Sequence, residues 1–287
     1  MTASTNGAAP DLSRLSLNQK TVNAATVPEV VELCRATGIG SVGLWREPVA
    51  DFGLQATVDL VAEAGLRVSS LCRGGWFTAT GAAFEEAIAS NHAAIDEAAA
   101  LEADCLCLVV GGLPAGSRDL SGARRQVAKA LEVLVPHATE AGVKLALEPM
   151  NPIYAADRGV LSTLEQALDL AAPYSADVVG VMADTYHVWW DPTLPQQLLR
   201  AGNEGRLLSY QICDWITPLP VDTLLARGMM GDGHIDFEST TRWVTEAGYT
   251  GDIEVEIFNA DIWAADPRQV VDTMIERYAS LVAPYAG

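Results

Sequence analysis

Short runs of β-branched and aliphatic residues alternate with longer segments of helical spacing from one end of the chain to the other. The pattern predicts strands near 15–19, 41–46, 66–73, 104–111, 144–149, 179–185, 207–213 and 252–258. Between them, Ala-, Leu- and Glu-rich segments such as Pro28–Thr37, Thr57–Ala64, Ala82–Ala103 and Ala123–Ala141 repeat apolar residues at helical intervals. Gly38, Gly65, Gly142 and Gly248 follow helical segments, where access to the left-handed conformation lets glycine stop a helix. Eight such units without a break in composition predict an α/β protein, a single-domain (β/α)8 TIM barrel spanning residues 13–287. An open doubly wound sheet is the alternative. It lacks its phosphate loop here, because Gly38-Ile39-Gly40 precedes a strand instead of following one. Residues 1–12 are small and polar and read as a flexible tail with no signal-peptide pattern.

Composition narrows the function. Of 287 residues, 49% are apolar, enough for a large core. The net charge of −19 would repel a polyanion, which argues against nucleic acid as a partner. No apolar stretch is long enough to span a membrane. Five cysteines, Cys34, Cys72, Cys105, Cys107 and Cys213, are scattered and odd in number, which suits buried thiols in a reducing, cytoplasmic compartment.

Barrel strands alternate their side chains between the lumen and the helix layer. In 144–148 the two leucines take one face, so Glu148 turns inward at the carboxyl end. The same parity turns Glu254 and Glu256 inward, and places Gln211 and Asp184 on the lumen side of their strands. These four neighbouring strands lie ~4.8 Å apart, so Glu148, Asp184, Gln211 and Glu256 converge on one side of the mouth. Bare carboxylates so close repel one another, and a divalent cation would relieve them. Oxygen ligands favour Mn²⁺ or Mg²⁺, with Co²⁺ also accommodated.

In order and spacing, five segments resemble the xylose isomerase-like TIM barrels, the sugar phosphate isomerase/epimerase family. They are Leu147-Glu148-Pro149, Asp184-Thr185-Tyr186-His187, Gln211-Ile212-Cys213-Asp214, Gly231-Asp232-Gly233-His234-Ile235-Asp236 and Val255-Glu256-Ile257-Phe258. The resemblance implies that Glu148, Asp184, Gln211 and Glu256 bind the metal and that His187 contacts substrate beside it. Epimerase-type relatives usually carry His where this chain has Gln211. Endonuclease-IV-type relatives need several histidines for zinc, and the chain has four, of which His92 and His137 fall in predicted helices.

Other motifs have plainer readings beside the functional one. Gly231–Asp236 reads as a turn with Asp236 capping the next helix. Arg73-Gly74-Gly75 could grip a phosphate or be an ordinary loop. Trp45, Trp76, Trp189, Trp190, Trp215 and Trp263 fall at or just after strand ends, whereas Trp243 lies within a helix. A rim of indoles suits the apolar faces of a sugar ring, so Trp45, Arg73, Trp76, Trp189, Asp214 and Trp215 are the candidate substrate contacts.

With a metal polarising a carbonyl, Glu256 and Glu148 could remove and return the neighbouring proton, giving isomerisation or epimerisation through an enediolate. A leaving group β to the carbanion would turn the same start into elimination, with His187 as acid, on an inosose or a 3-keto-glycoside, C-glycosides included. Relatives of that lyase type work with a small second subunit; otherwise a homo-oligomer is expected. A non-catalytic carbohydrate-binding barrel is the reading from another class, but binding alone needs no carboxylate cluster.

Overall fold

The computed structural model describes residues 10–287. The predicted tail therefore lies largely outside the described residues; of its last part, Leu12 already packs against the core. The described residues form ten strands: β1 (Leu15–Asn18), β2 (Ser41–Trp45), β3 (Arg67–Gly75), β4 (Leu106–Val109), β5 (Leu145–Leu147), β6 (Val179–Asp184), β7 (Leu207–Ile212), β8 (Asp214–Trp215), β9 (Arg227–Gly228) and β10 (Ile253–Val255). All but β8 and β9 close into a parallel barrel in the order β1-β2-β3-β4-β5-β6-β7-β10. The TIM barrel read from the hydrophobic pattern is the observed fold.

The strand parity inferred from sequence is kept. Leu145, Leu147, Val179, Val181, Tyr210, Ile212, Ile253 and Val255 belong to the main core, where the barrel meets its helices. A second, smaller cluster joins Cys72, Cys105, Cys107, Ala146 and Met182 with Trp45 and Phe258, and these fill the lumen. Small thiols and an alanine there leave space beneath the carboxyl mouth. All five cysteines are free and buried, and burial pushes the Cys34 thiol up to about 12.

The helix Leu120–Ala141 shows why the outer layer forms. Its buried Ala123, Val127, Ala130, Leu131, Leu134 and Ala138 recur at three- and four-residue intervals, making one apolar stripe. It begins on Asp119, whose carboxylate accepts the Gly122 N–H, and ends on Gly142 at φ 70°. Gly38 and Gly65 close their helices in the same left-handed conformation. β10 stops at Val255 and β5 at Leu147, short of the predicted runs, whereas β3 continues to Gly75, beyond its predicted end. Just beyond, Glu148 and Glu256 still donate their backbone N–H groups to the Leu108 and Ile212 carbonyls at 3.2 Å, and their side chains line the mouth.

Below the mouth, Glu254 is completely buried and surrounded by donors. Its carboxylate accepts from Asn18 (2.5 Å), Ser69 (2.6 Å), Ser70 (2.9 Å) and Gln211 (2.8 Å). This plug fits because residue 43 on β2 has no side chain: a Cβ there would stand 2.4 Å from the Glu254 Oε1. With the carboxylate held by four donors, it cannot withdraw. Gly43→Ala is therefore expected to destabilise the fold by about 1–3 kcal/mol, the usual range for overpacking. An unchanged urea midpoint would show that the carboxylate has room to move.

Candidate active site

Glu148, Asp184 and Glu256 sit at the carboxyl ends of β5, β6 and β10, where active sites of this fold lie. Asp184 is the last residue of β6 and also caps the short helix Thr185–Val188, accepting the Tyr186 N–H at 2.9 Å. That helix carries His187 inward until it is fully buried. Ligand atoms of Glu148, Asp184 and His187 all lie within 4.8 Å of one another.

A cation already stands among them. The guanidinium of Arg227, on β9, donates from Nη1 to Asp184 Oδ2 at 2.7 Å and pairs with Glu256 Oε2 at 3.2 Å. Its Nη2 lies 3.1 Å from the His187 Nε2, while its Nε is buried without a partner among the described residues. Sequence reasoning missed this residue. It follows Gln211 by sixteen positions in an otherwise apolar stretch, and only its placement one residue before Gly228 and shortly before Gly231 marked it.

The antiparallel pair β8–β9 brings Arg227 in, and Asp214 holds that pair. The Asp214 carboxylate accepts the backbone N–H groups of Trp215, Gly231, Gly233 and Ile235 at 2.8–3.0 Å. The Gly231–Asp236 segment is thus a turn, and Asp236 caps the helix Phe237–Glu246. With both Asp214 oxygens satisfied by backbone and the residue wholly buried, it braces the loop instead of meeting substrate.

A cavity of about 350 Å³ opens above the carboxylates. Trp45, Arg73 and Trp76 line it, together with Glu148, Gln211 and Glu256. Trp189 and Trp215 are not in its wall: they stack on each other at 5.7 Å, and Trp215 lies 4.7 Å from the Tyr186 ring. The indole rim read from sequence is therefore split between cavity and packing. Lys20, Arg158 and Phe258 also face the cavity, none of them anticipated as a site residue.

Burial sets the protonation states. Glu148 is held well above the usual carboxylate range, first by burial and then by the charges of Asp184 and Glu256. The Glu256 carboxyl is pushed up to about 8 by burial; Arg227 draws it down, and Asp184 and Glu254 push it up further. His187 is held well below its ordinary value by burial and by Arg227, so its ring is neutral. The Asn151 backbone N–H donates to Nδ1 at 3.2 Å. A neutral ring carries one proton and accepts at one nitrogen only. Here each nitrogen faces a donor: the Arg227 Nη2 stands 3.1 Å from Nε2, with Glu148 Oε1 and Asp184 Oδ2 farther off at 3.5 and 3.7 Å.

Raised carboxyl groups with one guanidinium among them fit a further divalent cation, which would return them to the ionised form. The neutral His187 ring, with its ligand atom within 4.8 Å of those of Glu148 and Asp184, stands where such an ion would sit. Glu148, Asp184 and Glu256 would supply oxygens. Gln211 spends its amide N–H on Glu254, so its amide oxygen is the atom left for the cavity.

The chain belongs to the xylose isomerase-like TIM barrel family, whose model matches residues 31–280. A crystal structure of protein SMc04130 from Sinorhizobium meliloti 1021 is 45% identical, with a TM-score of 0.92, covering 95% of this chain and 99% of that one. The IolI protein with a bound zinc atom is 19% identical, with a TM-score of 0.82 over 95% of this chain and 99% of its own. The 3-keto-D-glucoside 4-epimerase YcjR of E. coli is 18% identical, with a TM-score of 0.74 over 94% and 98%. No curated protein matches the sequence. Among the described residues no helix is long and apolar enough to cross a membrane.

Two predictions follow from the charge arrangement. Glu256 has a folded pKa above its unfolded value, near 4.3, so its protonated form favours the fold. That contribution is full below about pH 4.3 and is lost as pH rises to about 8. In EDTA, the melting temperature of the wild type should fall more steeply between about pH 5 and 8 than that of Glu256→Gln; parallel slopes would contradict the assignment. Arg227→Gln should lower stability by about 3–5 kcal/mol, the range for orphaning buried charges. Added Mn²⁺ should raise the melting temperature of that variant more than that of the wild type, and an equal shift would place the ion away from Arg227.

Proposed function

We propose that the protein is a divalent-metal-dependent isomerase or epimerase of a sugar or keto-polyol, acting by proton transfer next to a carbonyl. The observation that carries this reading is a pair of buried carboxyl groups, Glu148 and Glu256, facing one cavity from β5 and β10 with β6 and β7 between them. The zinc held by IolI and the epimerase activity of YcjR support it by analogy of fold.

A cation held by Glu148, Asp184, Glu256 and the Gln211 amide oxygen would supply Lewis acidity that lowers the pKa of the C–H beside the substrate carbonyl. Glu256, poised near neutrality, takes that proton as general base. The electron pair moves into an enediolate, whose oxygens meet the Arg227 guanidinium beside His187. Glu148, across the cavity from Glu256, delivers a proton to the other face. Return to the same carbon inverts it; return to the neighbouring carbon exchanges aldose and ketose. Trp45 and Trp76 cover the apolar face of the ring and keep water from the carbanion.

The test is incubation in D₂O with ketohexoses, inososes and 3-keto-glycosides. Deuterium is expected at the carbon beside the carbonyl, and an eliminated product would mark the lyase outcome of the same first step. Glu256→Gln should slow exchange by about 10²–10⁴-fold, the usual contribution of a general base. EDTA should stop it and Mn²⁺ restore it. Exchange that survives both the variant and chelation would remove the proposal; no exchange with any substrate would favour a binding barrel.

A further inference from the structure

The cavity wall holds two arginines that no protein group satisfies. Among the described residues, every other buried or half-buried arginine donates a hydrogen bond to a protein oxygen. Arg46 is bidentate on Glu97 at 2.5 and 2.8 Å, Arg206 donates to the Val179 and Tyr174 carbonyls, and Arg227 donates to Asp184. Arg73 and Arg158, both half-buried, donate to none. Arg158 has only a 3.8 Å approach to its neighbour Asp157, and its Nε is buried without a partner. Both residues line the cavity above the carboxylates.

Each guanidinium is fixed by its face, leaving its edge open. Arg73 stacks on Trp76 at 4.9 Å and reaches Trp45 at 6.0 Å; Arg158 lies 6.0 Å from the Tyr154 ring. Stacking of this kind leaves the in-plane N–H groups free, and they match a carboxylate or phosphate in forked geometry. The backbone holds the second residue in place: the Arg158 carbonyl accepts the Gly111 N–H at 3.0 Å, and Val160 donates back to Gly111 at 3.0 Å. Arg73 lies on β3 and Arg158 follows β5, so the two flank β4 on one side of the mouth. Lys20 adds a third cation, 4.8 Å over the Trp45 ring. The acid on this rim, Glu47, is exposed and forms no ion pair with either arginine. In a chain of net charge −19, so many cations at one opening do not arise from an excess of basic residues.

We propose that the substrate is anionic, a sugar or keto-polyol bearing a carboxylate or phosphate, whose oxyanion sits between Arg73 and Arg158 on the β3–β5 side. Its reacting carbon then lies toward Glu256 on the far side of the cavity. This deepens the reading under Proposed function by naming the substrate class, and it is tested without turnover, so either can fail alone.

The experiment is isothermal titration of the full chain in EDTA with D-glucuronate, D-glucose 6-phosphate, D-glucose and inorganic phosphate. Both anionic sugars, or one of them, should bind about tenfold or more tightly than glucose, as charge-assisted hydrogen bonds imply. The stronger of the two separates a sugar acid from a sugar phosphate. Inorganic phosphate should compete with the preferred one. In Arg73→Gln/Arg158→Gln the preference should vanish while glucose affinity stays within about twofold, and Arg73→Lys/Arg158→Lys should retain part of it, which separates charge from lost packing. Equal binding of glucose and both anionic sugars by the wild type would overturn the proposal. So would an anion preference that survives the glutamine variant.

Discussion

The structure depends on burying Glu148, Asp184 and Glu256 at one end of the barrel with a single guanidinium among them. A carboxylate withdrawn from water favours its neutral form, and a second beside it strengthens the effect. Arg227 compensates part of this charge and leaves the rest, which is why Glu148 and Glu256 stand above the ordinary carboxylate range even beside a cation. The same imbalance that strains the resting protein makes one carboxyl able to accept a proton near neutral pH and another able to give one.

Much of the surrounding architecture serves to hold that imbalance in place. Asp214 gathers four backbone amides and so pins the turn and the β8–β9 pair that deliver Arg227. Glu254 gathers Asn18, Ser69, Ser70 and Gln211 into a polar floor, and Gly43 gives it room. Asn151 and Arg227 hold the His187 ring from its two nitrogens. None of these groups needs to touch substrate to decide which protons are available in the cavity.

The rim differs from the floor in kind. Below, Asp184, Glu254, Glu256 and Arg227 are tied to protein partners; above, Arg73 and Arg158 are positioned by rings and backbone while their hydrogen-bonding edges stay open. An open, oriented donor in a wall of indoles is suited to selecting a ligand, whereas the charged network beneath is suited to chemistry on it. Fold and net charge alone would not separate these two layers.

How much of this was legible in the sequence follows from the range of the interactions. Alternation along a strand is local, so Leu145 and Leu147 announced that Glu148 turns inward, and the same rule located Asp184, Gln211 and Glu256. Helix stops at Gly38, Gly65 and Gly142 were legible because the left-handed cap is a property of one residue. Arg227 was not: it reaches the site through an excursion whose path is set by Asp214 and by pairing across β8 and β9. Asp214 and Trp215 looked like substrate contacts because they follow a strand end, yet neighbours distant in sequence satisfy one and stack on the other. By itself the sequence determined the barrel and the parity of its strands, because both rest on periodicity along the chain. Which charges are compensated and which donors stay open was decided only by tertiary structure, since these depend on what the remaining elements place within 3 or 4 Å of a side chain.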